Sequence, residues 1–276
     1  MMTAKRYVPK AIGLLLRLMI ILVFVFPFYW MVITSLKTYS ETFIFPPTLW
    51  PKKLMLSNYI KTWNAAPFAI YFKNSIITTF GTILLQVAIM VPAAYAFAKY
   101  EFRGKNLLFG IVLVTFMVPV NVTFVPVYLM MSKWSWLTTL LPQIIPHGAY
   151  AFGIFFLRQA FKQTPNEIID SARLDGAGEF RIMFRIMLPM AKAFMFTIIL
   201  FSFVDLWNAY FWPLVMTNDD SLRTLPVAVS MIKNIEDTIN WEILMAGSMI
   251  MVLPVILLYA FAGKRIVQAF VYSGIK

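Results

Sequence analysis

The chain has 276 residues, a formal charge of +12, 61% hydrophobic and 13% charged residues, and a mean hydropathy of +0.76. A soluble domain carries about a quarter charged and about half apolar residues, so this is the composition of a chain dissolved in lipid. An ordinary soluble fold is excluded, and so is disorder, which needs low hydrophobicity and high charge. With no cysteine there is no disulfide framework, thiolate metal site or cysteine nucleophile. The surplus of cations does not call for nucleic acid; in a lipid-embedded chain it bears on which side each loop occupies.

A hydrocarbon core of about 30 Å takes roughly 20 helical residues. In chain order, charge-free stretches of that length run over 18–36, 74–98, 107–131, 134–157 and 243–263, and a sixth over about 193–216 is interrupted only by Asp205. Six transmembrane helices and an all-α integral membrane fold are expected. The first stretch follows Lys5, Arg6, Lys10 and Arg17 like the basic start of a signal peptide. Its apolar run is too long for one and no small-residue cleavage site follows, so it is expected to be retained. Continuous rather than alternating apolar runs exclude a β-barrel.

With the N-terminus inside, 16 of the 24 Lys and Arg residues fall on the cytoplasmic side, as the cation bias of membrane proteins requires. Both termini are then cytoplasmic, and the longest inner segment is 158–192. Prolines 92, 119, 126, 142, 146, 213 and 254 lie within or at the ends of spans. Neighbouring helices in a bundle can satisfy the carbonyls they free. Three regions follow: 1–70, a first helix and outer segment; 71–264, the transmembrane domain containing the inner loop; and 265–276, a cytoplasmic tail.

Within that loop, Thr164, Pro165 and Glu167 spell a helix start, with Thr164 able to cap, Pro165 at the first helical position and Glu167 able to complete a capping box. Ile168, Ile169, Ala172 and Leu174 are its apolar set, and Gly176 and Gly178 can end it with positive φ. Phe180, Met183, Phe184 and Met187 restart a helical period that reaches Pro189. Two readings stand on physics alone: a basic amphipathic stretch lying on the bilayer surface, or a rigid helix built to meet a partner.

The string Asp170-Ser171-Ala172-Arg173-Leu174-Asp175-Gly176-Ala177, closed by Ile186-Met187-Leu188-Pro189, resembles the EAA loop of ABC importer permeases, with Asp170 in place of the glutamate and Ser171 in place of the first alanine. The likeness continues through Pro27-Phe28-Tyr29-Trp30, Ser35-Leu36-Lys37, Asn58-Tyr59, Asn74-Ser75, Ala94-Tyr95-Ala96-Phe97-Ala98, Trp207-Asn208 and Trp212-Pro213-Leu214. Together these are similar to the carbohydrate branch, notably the smaller permease of maltose-type systems. The resemblance implies a type-1 importer domain over 71–264, whose loop helix between transmembrane helices four and five docks on a separate ATPase as a coupling helix. Asp170 would pair with a basic residue there, Ser171, Ala172 and Ala177 would allow close approach, Asp175 and Gly176 would form the turn, and Pro189 would close the motif. It also implies a second, similar permease, two ATPase subunits holding ATP and Mg, an external solute-binding protein delivering a carbohydrate, and a bacterial or archaeal inner membrane. The tail at 271–276 resembles the family's ATPase-approaching terminus. The chain has no phosphate-binding loop of its own; no cofactor is expected in it, and it is expected to be a transport subunit rather than an enzyme.

Asp205, Trp207, Asn208 and Tyr210 crowd into one span with Trp212. A carboxylate at mid-membrane costs about 2.5–3.5 kcal/mol on insertion scales, so it faces protein or water. Either these residues line a sugar path, or the aromatics pack and Asp205 bonds two helices. His147 is either a proton relay or a simply hydrogen-bonded ring. The outer segment 39–69 either contacts a solute-binding protein or anchors at the interface. Two rival functions remain: a proton-coupled secondary transporter using Asp205 and His147, and an ABC permease for glycerol phosphate.

Overall fold

The computed structural model describes residues 4–232 and 239–273, with side chains over 13–232 and 239–261. Among the described residues every regular element is helical: α1 (Ala4–Ser35), α2 (Ser57–Ala65), α3 (Phe68–Lys99), α4 (Lys105–Met117), α5 (Val120–Lys133), α6 (Ala151–Lys162), α7 (Asn166–Leu174), α8 (Glu179–Met190), α9 (Lys192–Trp207), α10 (Phe211–Met216), α11 (Leu225–Ile232) and α12 (Trp241–Ser273), with single turns between some of them. Three helical segments, Gly13–Ser35, Phe68–Lys99 and Trp241–Phe261, are long and apolar enough to cross a membrane. The number rises to five if the bent pairs α4 with α5 and α8 with α9 are each one span.

Three expected spans are not single helices, each for a local reason. The stretch 107–131 turns by 97° between α4 and α5. Pro119 forces the preceding Val118 out of the helical region, to φ −76° and ψ 118°. The stretch 134–157 holds no continuous helix: Ser135 is left-handed at φ 58°, and Pro142 and Pro146 divide it into short turns before α6 begins at Ala151. The stretch 193–216 stops at Trp207, because the Asn208 side-chain amide donates to the Val204 carbonyl at 2.8 Å and closes the helix end. Pro92 and Pro254, by contrast, lie inside continuous helices.

The chain divides into two compact units, Met1–Phe68 with Ala228–Pro254, and Ala69–Val227 with Val255–Lys276. In the first, the end of α1 is tied to α2: buried Asn58 donates to the carbonyls of Ser35 and Lys37 at 2.9 and 2.8 Å, and the Ser35 and Tyr59 hydroxyls lie 2.8 Å apart. Buried Lys37 donates to the Thr48 carbonyl at 2.6 Å and sits 4.6 Å above the Trp30 ring, while Glu41 accepts from the Thr48 hydroxyl and the Lys52 amide. The buried Asn58, Lys37 and Glu41 side chains each have partners, which offsets the cost of burying them, whereas the buried Thr34 hydroxyl beside them has none. The Ser35-Leu36-Lys37 and Asn58-Tyr59 strings are therefore the two halves of one structural knot.

The larger core of the second unit is built by Met90, Val91 and Ala94 of α3, Ile154, Leu157 and Phe161 of α6, Ile169 and Ala172 of α7, Ile182, Met183 and Met187 of α8, and Met195 and Ile198 of α9, and a smaller one by Met131, Leu137, Trp212 and Met216. Helices meet closely at Gly153, where a Cβ would come within 2.6 Å of Met90 Sδ and 2.8 Å of Tyr150 Cδ1. The Asn74-Ser75 pair anchors the chain ahead of α11: Asn74 donates to the Ser221 and Arg223 carbonyls at 2.7 and 2.9 Å, and the Ser75 hydroxyl accepts from the Leu225 amide at 2.8 Å.

Candidate functional site

The expected loop helix is α7, and its ends differ from the sequence expectation in an instructive way. Pro165, not Thr164, is the N-cap, and no side-chain capping bond forms. Thr164 is buried instead, its carbonyl accepting from Lys99 Nζ at 2.5 Å, while Asn166 Oδ1 accepts from the same ammonium at 2.8 Å. At the other end Gly176 takes φ +76° as expected, but Gly178 is extended at φ −69° and caps α8. The Ala177 amide donates to the Ala172 carbonyl at 2.9 Å and the Gly176 amide to the Arg173 carbonyl at 3.0 Å, the two bonds of a Schellman closure.

The apolar set of α7 splits between two faces. Ile169 and Ala172 are buried in the core, whereas Leu174 is 90% exposed and Phe180, just beyond the turn, is 76% exposed. Asp170, Ser171, Asp175 and Gly176 are exposed with them. Asp170 has an i,i+3 contact with Arg173 at 3.5 Å, and Ser171 donates back to the Glu167 carbonyl at 2.7 Å. Ala177 is half-buried against the core and Pro189 is exposed near the end of α8. That helix contains a π turn over Met183–Met187, within reach of the backbone donor that Pro189 lacks. Arg173 donates to Glu179 at 2.8 Å. Hydrogen bonding from Arg173 first, helped by the Tyr95 hydroxyl at 2.7 Å, pulls the Glu179 carboxyl down to about 2 against a smaller opposing effect of partial burial.

A second site lies wholly within the second unit. A cavity of about 500 Å³ opens among α3, the α4–α5 bend, the broken stretch before α6, and α9 with its continuation. Its polar lining is Thr78, Gln86, Gln143, His147, Asp205 and Thr224, together with Thr115, Tyr150 and Ser202. Gln86 is buried and fully engaged: it donates to the His147 carbonyl at 2.9 Å and accepts from the Ser202 hydroxyl. Gln143 donates to the Leu222 carbonyl at 3.2 Å, leaving its buried Oε1 without a partner, and the buried Thr224 hydroxyl is also unpartnered. The His147 ring packs edge-on against Trp212, centroids 4.9 Å apart.

Of the four expected path residues, only Asp205 lines this cavity. Trp207 is buried, stacked on Phe203 at 5.5 Å and edge-on to Phe72 at 5.8 Å. Asn208 closes α9, and Tyr210 is exposed away from the cavity lining. The aromatic crowding in the sequence is thus partly core and partly helix termination. Gln143 and Thr224 were missed because they lie far apart in the chain and neither belongs to a motif; the only available signal was an amide and a hydroxyl within apolar stretches. No group of three or more His, Cys, Asp or Glu side chains that could hold a metal ion occurs among the described residues.

Together these features describe a multi-pass helical membrane protein with a polar cavity between helices of its second unit and a Schellman-closed helix, α7, that is exposed on one face. Residues 88–271 match the model of the binding-protein-dependent transport system inner membrane component, and the chain belongs to that family. It is similar to the arabinooligosaccharides transport system permease protein AraQ of Bacillus subtilis, 31% identical over 94% of this chain and 93% of the relative. The diacetylchitobiose uptake system permease protein NgcG of Streptomyces coelicolor is 30% identical over 87% and 80%. The sn-glycerol-3-phosphate transport system permease protein UgpE of Yersinia enterocolitica is 28% identical over 92% of each. The fold matches a chain of a bacterial ABC transporter involved in the import of alginate, with a TM-score of 0.84, 22% identity and coverage of 95% and 97%. The protein is a transport permease of the inner membrane and not an enzyme.

Proposed function

We propose that this chain forms half of the translocation path of an ATP-driven importer for a neutral sugar or oligosaccharide. In this reading it crosses the membrane six times with both termini cytoplasmic. Residues 1–70 form the first helix and outer segment, 71–264 the importer domain, and 265–276 the tail; the side chains of that tail lie outside the described residues. A second, similar permease completes the path, an external solute-binding protein delivers the ligand, and two ATPase subunits supply ATP and Mg.

The observation that carries the coupling reading is α7: a Schellman-closed helix that seats Ile169 and Ala172 in the core and presents Asp170, Ser171, Leu174, Asp175 and Gly176 outward. A rigid projecting element can transmit displacement, which a floppy connector cannot. Two groups as apolar and exposed as Leu174 and Phe180, in a polar loop, are those a partner would cover. Asp170, exposed and held within the chain by its 3.5 Å contact with Arg173, would pair with a basic ATPase residue, with Ala177 and Pro189 holding the frame.

The cavity supports the solute class. Gln143, Thr224 and Asp205 line the cavity with an amide, a hydroxyl and a carboxylate, groups suited to the hydroxyls of a sugar. Among the described residues no Lys or Arg is in the lining, and Asp205 stands there instead, which disfavours a phosphate such as the one named for the UgpE relative. In proteoliposomes carrying the complete complex, arabinotriose or diacetylchitobiose should be taken up in preference to sn-glycerol 3-phosphate. Asp205→Asn should assemble normally but lose about tenfold in uptake, the equivalent of one charge-assisted hydrogen bond of about 1.5 kcal/mol. Preferred uptake of glycerol phosphate, or unchanged uptake by the variant, contradicts this assignment.

A further inference from the structure

The last turn of α3 holds α7 at both of its ends. At the start of α7, Lys99 Nζ donates to the Thr164 carbonyl at 2.5 Å and to Asn166 Oδ1 at 2.8 Å. At its close, the Tyr95 hydroxyl donates to Glu179 Oε2 at 2.7 Å while Arg173 of α7 donates to Glu179 Oε1 at 2.8 Å. The Arg173 guanidinium also lies 6.0 Å above the Tyr100 ring. A third contact comes from α6, where buried Arg158 donates to the Phe97 carbonyl at 3.0 Å.

Exposed ion pairs contribute about 0–1 kcal/mol each, and Arg173 and Glu179 are 40% and 43% exposed. Stability is thus a weak account of this arrangement; geometry is a stronger one. Tyr95 and Lys99 are one helical turn apart, so a single face of α3 reaches both ends of α7. The same helix carries Gln86 and Thr78 into the cavity, and Gln86 is nine residues, about 14 Å, from Tyr95. One continuous helix therefore joins the projecting element to the polar cluster of Gln86, Ser202 and the His147 carbonyl.

We propose that Tyr95 and Lys99 are positioning residues that clamp α7 to α3, so that a displacement imposed on α7 is delivered as a rigid motion of α3 to the cavity wall. This rests on the coupling reading of α7. The clamp holds through the physiological pH range, because the depressed Glu179 carboxyl keeps its charge until pH falls toward about 2.

The absence of native cysteine makes the chain ready for site-specific spin labelling. Labels at Leu84→Cys on α3 and Ile168→Cys on α7, both on exposed side chains outside the face assigned to the ATPase, report the separation of the two helices in the ATPase-bound complex, without nucleotide and after vanadate trapping. The clamp predicts a distance constant to within about 2 Å between the two states. It also predicts a nucleotide-dependent change larger than that in the Tyr95→Phe/Lys99→Met variant, with ATPase co-purification retained. Tyr95→Phe keeps the ring packed on Phe161 and Tyr100, and Lys99→Met keeps an apolar stem, so folding is preserved. A distance that shifts equally with and without the clamp overturns the proposal, as does a variant that stays rigid. Failure of the unsubstituted chain to hold any ATPase overturns the coupling reading itself, and this proposal with it.

Discussion

Gly176 carries the sharpest demand of any single residue. Its φ of +76° is needed for the two closing bonds of α7, yet a Cβ there would meet nothing within 4 Å. The cost of Gly176→Ala is therefore backbone strain without a clash, about 1–2 kcal/mol. That is enough to fray the end of α7 and too little to unfold the chain. Gly176→Ala should leave the yield and thermal unfolding of the detergent-solubilised protein nearly unchanged while weakening ATPase co-purification several-fold. Co-purification equal to that of the unsubstituted chain would show that the closure of α7 is not what the ATPase engages. This position was legible in the sequence, because a glycine just past an apolar period has one common use. The N-terminal end was not: Thr164 and Glu167 fit a capping box, but Lys99, 65 residues earlier, draws the Thr164 carbonyl and Asn166 into a tertiary contact instead.

At the level of elements, long apolar runs located helical material but not its breaks. Composition sees 107–131 and 134–157 as two equal stretches. Pro119 bends one by 97°, and Pro142, Pro146 and the left-handed Ser135 dissolve most of the other into short turns. Pro92 and Pro254, of the same residue type, leave their helices continuous, so the outcome depends on which neighbour receives the freed carbonyl, and that is tertiary information. The same holds for Trp207 and Asn208: their neighbourhood to Asp205 in sequence suggested a shared path, but a helix turns successive side chains by about 100°, which sends Trp207 into the core and Asp205 to the cavity. Where α6 meets α3 and α9, Gly153 makes the approach possible. Gly153→Val should lower stability by about 1–3 kcal/mol through overpacking against Met90, Tyr150 and Ile198, read as a drop in the thermal unfolding midpoint. An unchanged midpoint would mean that the helices there are looser than the structure shows.

For the whole molecule, composition and cation placement already implied a multi-pass membrane chain, and the family match agrees with a transport permease. What composition did not reveal is how the parts are joined: the Ser35-Leu36-Lys37 and Asn58-Tyr59 knot in one unit, and the α3 clamp and the cavity in the other. These depend on side chains that meet across 21 to 116 positions of sequence. The cavity also contains Asp205 and His147, the pair a proton-coupled carrier would use, so energy source is the property that separates the two mechanisms. The decisive measurement is solute uptake into proteoliposomes holding this chain, its companion permease and the binding protein, with and without the ATPase. Uptake that requires the ATPase and internal or external ATP as its vesicle orientation dictates, and that survives a protonophore, is the predicted result; uptake in vesicles lacking the ATPase, abolished by the protonophore, would contradict the account.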